Sequence, residues 1–146
     1  MDILGFDYPD DCLFDLDHDM WCRQLEDGSL QVGITAFGAY LSGDFHMCRP
    51  RPAGTRVERG GKLGVAELSK TIVAIKSPLS GTIVEVNALL EDAPEVINRD
   101  PYGSGWVVRL LPACLPEESA SLGHGAALEA AALARMQLEP IEFPLK

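Results

Sequence analysis

Between residues 28 and 106 the apolar positions fall into short β-prone runs punctuated by Gly and Pro: 29–34, 44–49, 64–68, 71–75, 82–87 and 106–111. Runs of that length and makeup predict strands, and together a mostly antiparallel β protein. Residues 35–41 and 88–97 read as short helices set between strands, the second interrupted by Pro94. Ahead of residue 28, acids are mixed with Phe6, Tyr8, Leu13, Phe14, Leu16 and Trp21, too many large apolar groups for a solvated tail. This stretch is expected to pack across a sheet. After Leu111 the character changes: Pro112 and Pro116 lead into residues 124–138, where Leu128, Ala131, Ala132 and Met136 recur at helical spacing. One C-terminal helix, ended by Pro140, is expected to lie against the β body.

The chain has 146 residues, which fits one compact domain with a core about 21–111 and a C-terminal extension over 112–146. Its 12 Lys and Arg against 22 Asp and Glu leave a net charge of −10, so a polyanion is repelled over most of the surface and nucleic-acid binding is excluded as an expectation. The acid-rich start has no basic region ahead of an apolar stretch, as a secretory signal would, and no apolar run is long enough to span a bilayer. Cys12, Cys22, Cys48 and Cys114 lie far apart without a C-x-x-C pair, which argues against a disulfide framework and a standard zinc site. A cytoplasmic protein with free thiols and no membrane partner is therefore expected.

Several motifs point nowhere. Gly60-Gly61-Lys62 is followed by Leu63 instead of the Ser or Thr that a phosphate loop needs for magnesium, and reads as a turn. Asp17-His18-Asp19 has no second His or Cys nearby and reads as a solvated acidic face before it reads as a metal site. Gly103-Ser104-Gly105 lacks the strained G-x-S-x-G elbow of a hydrolase. No catalytic set organises itself, so the chain is not read as an enzyme.

The segment that carries chemistry is Glu67-Leu68-Ser69-Lys70-Thr71. Two apolar strands, 63–68 and 71–75, are separated by small polar residues and a lysine, which predicts a tight hairpin with Lys70 pointing into water at its tip. For an arbitrary hairpin that lysine is merely surface charge. The surroundings change this weighting. Ala66-Glu67-Leu68-Ser69-Lys70-Thr71 and Ser77-Pro78-Leu79-Ser80-Gly81 stand at a spacing that superposes without a gap on one family pattern, and Gly81-Thr82-Ile83-Val84-Glu85-Val86-Asn87, Leu90-Glu91-Asp92-Ala93-Pro94-Glu95 and Asn98-Arg99-Asp100-Pro101-Tyr102-Gly103-Ser104-Gly105-Trp106 come after them in order. This succession resembles the glycine cleavage system H protein family, with Val32-Gly33-Ile34-Thr35 and Leu41-Ser42-Gly43-Asp44 as upstream echoes.

The resemblance implies a mainly β fold, a barrel-sandwich hybrid of two antiparallel sheets with a lipoyl hairpin, short helices and a C-terminal helix. It implies covalent lipoate on Lys70, attached by a lipoate ligase or lipoyltransferase, with Glu67 helping that enzyme to recognise the hairpin. Partner enzymes would then load and discharge the arm, and dihydrolipoamide dehydrogenase would reoxidise it. Departures from the family pattern bear on cargo: Val73, Ala74 and Lys76 stand where a Ser-Asp pair and a Tyr are usual, and His46-Met47-Cys48-Arg49-Pro50-Arg51-Pro52 replaces a V-E-L-P strand. Losing an acid and gaining Lys76 disfavours an alkylammonium and favours anionic or sulfur cargo. In this the chain is similar to the H-like lipoate-binding proteins of heterodisulfide-reductase-like sulfur oxidation, where Cys48 and Cys114 could assist or be inert. Carriage of an aminomethyl group for glycine cleavage is the alternative, and an unmodified interaction domain a further one.

Overall fold

The computed structural model of the chain describes residues 1–141. Its larger sheet has six antiparallel strands in the spatial order β3 (Cys12–Asp15), β4 (Met20–Gln24), β5 (Leu30–Ile34), β11 (Val108–Pro112), β10 (Gly81–Val86) and β7 (Arg56–Val57). A second sheet has three strands, β6 (Met47–Pro50), β8 (Lys62–Glu67) and β9 (Ile72–Lys76), with β9 at its edge. A small ribbon of β1 (Asp2–Ile3) and β2 (Phe6–Asp7) sits at the start. This is the expected barrel-sandwich arrangement of antiparallel sheets, with the hairpin formed by β8 and β9.

The N-terminal stretch differs from expectation, because it enters a sheet instead of lying across one. Phe14 pairs with Trp21 in the β3–β4 ladder, and Trp21 pairs with Gly33 in the next. Its strands are short and separated by turns with left-handed residues, Leu4 at φ 53° and Asp19 at φ 56°, so no long alternating run marks them in the sequence. The run at 44–49 begins as a strand only at Met47. Ahead of it, Phe45 N–H donates to Asn98 Oδ1 (3.0 Å) and Asn98 Nδ2 donates to the Gly43 carbonyl (2.7 Å), satisfying that backbone outside a ladder.

Alternation along β4 divides the core. Met20 and Cys22 join a cluster drawn from both main sheets, with Leu30, Leu63, Ile83 and Ile97, while Trp21 faces the other way. There it meets Phe14, Phe37 and the buried face of α5 (Leu128–Met136), contributed by Leu128, Ala132 and Met136. The C-terminal helix thus lies against the β body as its spacing predicts. α1 (Ala36–Ser42) starts where Thr35 Oγ1 accepts from Gly38 N–H at 3.0 Å and ends at Gly43, whose φ of 73° suits glycine. The 88–97 segment forms two single turns, α2 (Leu89–Asp92) and α3 (Val96–Arg99), on either side of Pro94. A further short turn, α4 (Leu115–Glu118), has no clear spacing signal; Glu118 receives both the N–H and the hydroxyl of Ser80, each at 2.8 Å.

The turn at 98–106 ties the parts together. Asp100 Oδ2 accepts from Ser104 N–H at 2.8 Å, the Pro101 carbonyl accepts from the Trp21 indole at 3.0 Å, and Tyr102 Oη donates to the Asp7 carbonyl at 2.6 Å. Asn87 Nδ2 donates to the carbonyls of Ser104 (2.8 Å) and Trp106 (2.7 Å), which delays the start of β11 to Val108. No helix among the described residues is long and apolar enough to cross a membrane.

Candidate functional site

β8 and β9 pair in register with Glu67 opposite Ile72. Beyond that rung Leu68 N–H donates to the Thr71 carbonyl at 2.8 Å, so Ser69 and Lys70 alone turn the chain. Lys70 is exposed, and no ion pair holds it among the described residues. Glu67 is exposed as well, on the strand leading to the tip. One support braces the tip from the side: His46 donates its N–H to the Glu67 carbonyl (2.9 Å), and its Nε2 is hydrogen-bonded to Ser69 Oγ at 3.2 Å. The base of the hairpin is firm, because Leu63, Ala66 and Ile75 are all in the core.

Beside β9 runs an open cleft of about 410 Å³, lined on the hairpin side by Leu68, Val73, Ala74, Ile75 and Lys76. Its opposite wall comes from the β3–β4 turn and α1: His18, Asp19, Met20, Leu41 and Ser42, with Phe45 beyond. These opposing residues are absent from the sequence-based site. His18 and Asp19 entered the sequence reading only within Asp17-His18-Asp19, taken as a solvated acidic face before a metal site; Asp17 and His18 are exposed in accord with a solvated face, and the structure corrects that reading at Asp19. Asp15 and Asp19 are buried; Asp15 Oδ2 lies 2.8 Å from His18 Nδ1, and Asp19 Oδ2 accepts from Arg135 Nη2 at 2.7 Å. No group of three metal-ligating side chains gathers among the described residues.

Cys48 is a core residue, 5% exposed, and burial pushes its thiol up to about 12, so it is not a ready nucleophile. Cys114 is exposed. Arg49 and Arg51 are exposed near the hairpin. The Gly60–Gly61 segment is a turn between β7 and β8, as read from the sequence.

A lysine free at a two-residue tip, on a rigid ladder, beside a mainly apolar cleft, fits a covalently attached arm with a hydrocarbon stem. A family model described as glycine cleavage H-protein matches residues 13–133. The glycine cleavage system H protein of Chlorobium limicola is 43% identical over 113 residues, 75% of this chain and 87% of that protein. Its counterpart in Shewanella denitrificans is 40% identical over 114 residues, 78% of this chain and 88% of that one. A crystal structure of the H protein from Mycobacterium marinum superposes with a TM-score of 0.71 at 30% identity, covering 87% of this chain and 99% of that chain.

Proposed function

The chain belongs to the glycine cleavage H-protein family, and from that premise we propose that Lys70 is the lysine through which it carries lipoate. Proteins of this family are carriers and not enzymes, and their cofactor is lipoate joined covalently to a lysine. When bound, that group supplies a disulfide that can be reduced to two thiols, one of which takes up cargo. The observation that supports Lys70 is its place at the exposed two-residue tip of a hairpin whose base is anchored in the core by Leu63, Ala66 and Ile75. Glu67, one rung from the tip, is proposed to help the attaching enzyme recognise the hairpin. Tethering at this point keeps the arm at high effective concentration for each partner. We read residues 1–146 as one such carrier unit, and free thiols accord with a reducing, cytoplasmic setting.

For cargo we infer a sulfur-bearing or anionic group, as in heterodisulfide-reductase-like sulfur oxidation. Among the described residues the only carboxylate lining the cleft is Asp19, and Arg135 already occupies one of its oxygens. Lys76 adds a cation on the same lining, where an alkylammonium would be repelled. Carriage of an aminomethyl group is the second reading, favoured by the glycine cleavage names of the relatives. Intact mass after co-production with a lipoate ligase tests the anchor: a lipoyl adduct on the wild type and none on Lys70→Arg is expected, and an unmodified wild type rejects it. Glycine decarboxylase then tests cargo, since ready loading of the lipoylated chain rejects the sulfur reading and failure to load rejects the aminomethyl one.

A further inference from the structure

In a chain of net charge −10, the positive side chains are unevenly placed. Arg49, Lys62 and Lys76 lie on the three-stranded sheet, Arg51 directly follows β6, and Lys70 is at the tip, which makes five of the 12 basic residues. All five are exposed, and none forms an ion pair among the described residues. By contrast, Arg23, Arg56, Arg99, Arg109 and Arg135 are each paired with an acid. Across β6, β8 and β9 Glu67 is the single acid.

Register sorts this sheet into two faces. Cys48, Ala66 and Ile75 point into the core. The outer face carries the rows Met47–Glu67–Ile72 and Arg49–Val65–Ala74, with Lys62 opposite Lys76 at the next rung. Its apolar positions are Met47, Val65, Ala74 and Ile72, the last 65% exposed on the edge strand beside the tip, with Glu67 among them and Arg49, Lys62 and Lys76 at the margin. Any enzyme that acylates Lys70 must admit the tip into its active site. Because Cys48, Ala66 and Ile75 close the base of the inner face against the core, such an enzyme meets the hairpin on its outer face and along the edge of β9, where the cleft opens.

We propose that this basic-rimmed outer face is the surface gripped by the lipoate-attaching enzyme, whose matching surface is acidic around an apolar centre. The inference rests on Lys70 being the anchor. In the reaction, the unprotonated Lys70 Nζ forms an amide bond to the carbonyl carbon of a lipoyl adenylate. The carbon–oxygen bond of the acyl–phosphate anhydride breaks, AMP leaves with its electron pair, and one proton passes to solvent. Margin charges of this kind govern encounter and orientation more than the chemical step.

The test uses the purified chain with a lipoate–protein ligase, lipoate and ATP, followed by intact mass. Arg49→Glu combined with Lys76→Glu is expected to raise KM for the chain about tenfold with kcat little changed, and to remove the rise of KM with salt seen for the wild type. Ile72→Ser should also raise KM. Arg49→Lys with Lys76→Arg should restore it, which a folding defect in the reversed variant would not mimic, and Arg99→Glu on α3 should leave it alone. Unchanged KM in the charge-reversed variant, or an equal rise with Arg99→Glu, overturns the proposal. A wild type that is not acylated, or is acylated at another lysine, instead overturns the Lys70 reading on which it stands.

Discussion

Arg135, near the end of α5, donates from Nη2 to the Asp19 carboxylate at 2.7 Å, joining the C-terminal helix to the wall of the cleft across 116 residues of sequence. The two side chains are 15% and 12% exposed, and the guanidinium also lies 5.4 Å from the centroid of the Phe37 ring. Asp19 stands at φ 56°, a left-handed turn that places its carboxylate inward.

Removing the cation leaves a buried acid without compensation. Arg135→Met is therefore expected to cost about 3 kcal/mol at neutral pH, read from urea denaturation, and to loosen the cleft wall. A loss below about 0.5 kcal/mol would show the pair to behave as an exposed one.

The same acid predicts a pH dependence. Burial pushes the Asp19 carboxyl above the usual carboxylate range, and the Arg135 hydrogen bond pulls it only partly back. With its folded value above the unfolded one of about 3.9, Asp19 contributes stability fully present below that pH and lost as pH rises through the folded value. Asp19→Asn, whose side chain tolerates the left-handed backbone, should thus gain on the wild type as pH increases from about 3 to about 7. Urea melts across that range check the sign; a wild type that gains on the variant with rising pH would reverse it.

Burial pushes the thiols of Cys12, Cys22 and Cys48 up to about 12, whereas Cys114 is exposed. A thiol reagent at about pH 8, below the thiol range, should label Cys114 alone in the folded protein, and all four of the chain's cysteines after denaturation. Fast labelling of Cys48 in the native state would restore it as a candidate for sulfur transfer.

Gly33 lies under the indole of its cross-strand partner Trp21, where an added Cβ would come within 2.6 Å of the ring. Gly33→Ala is expected to cost about 1–3 kcal/mol through overpacking and to shift tryptophan fluorescence. An unchanged melting curve would mean the ring moves aside freely.

Much of this was legible in one dimension because the information is local. The strands at 29–34, 71–75 and 82–87 announce themselves by composition, Thr35 and Gly43 bound α1, Pro94 breaks the segment after β10, and the short polar link around Lys70 dictates a tight tip. The start of the chain was not legible, since β1 to β3 are too short to show a period and are recruited by partners far away, Gly123 for Phe14 and Asp7 for Tyr102. Nor did the turn at 98–106 reveal its purpose: Asn98 holds Gly43 and Phe45 through hydrogen bonds spanning 55 and 53 residues.

The order of residues by itself determined the strands, the hairpin and the lysine at its tip, because backbone preference and turn geometry act over a few neighbours. Only the tertiary structure decided that Asp19 is a buried cleft residue, that Cys48 is a core residue, and that Arg49, Lys62 and Lys76 share one face. Burial and electrostatic environment are properties of groups brought together from distant positions, and no local pattern specifies them.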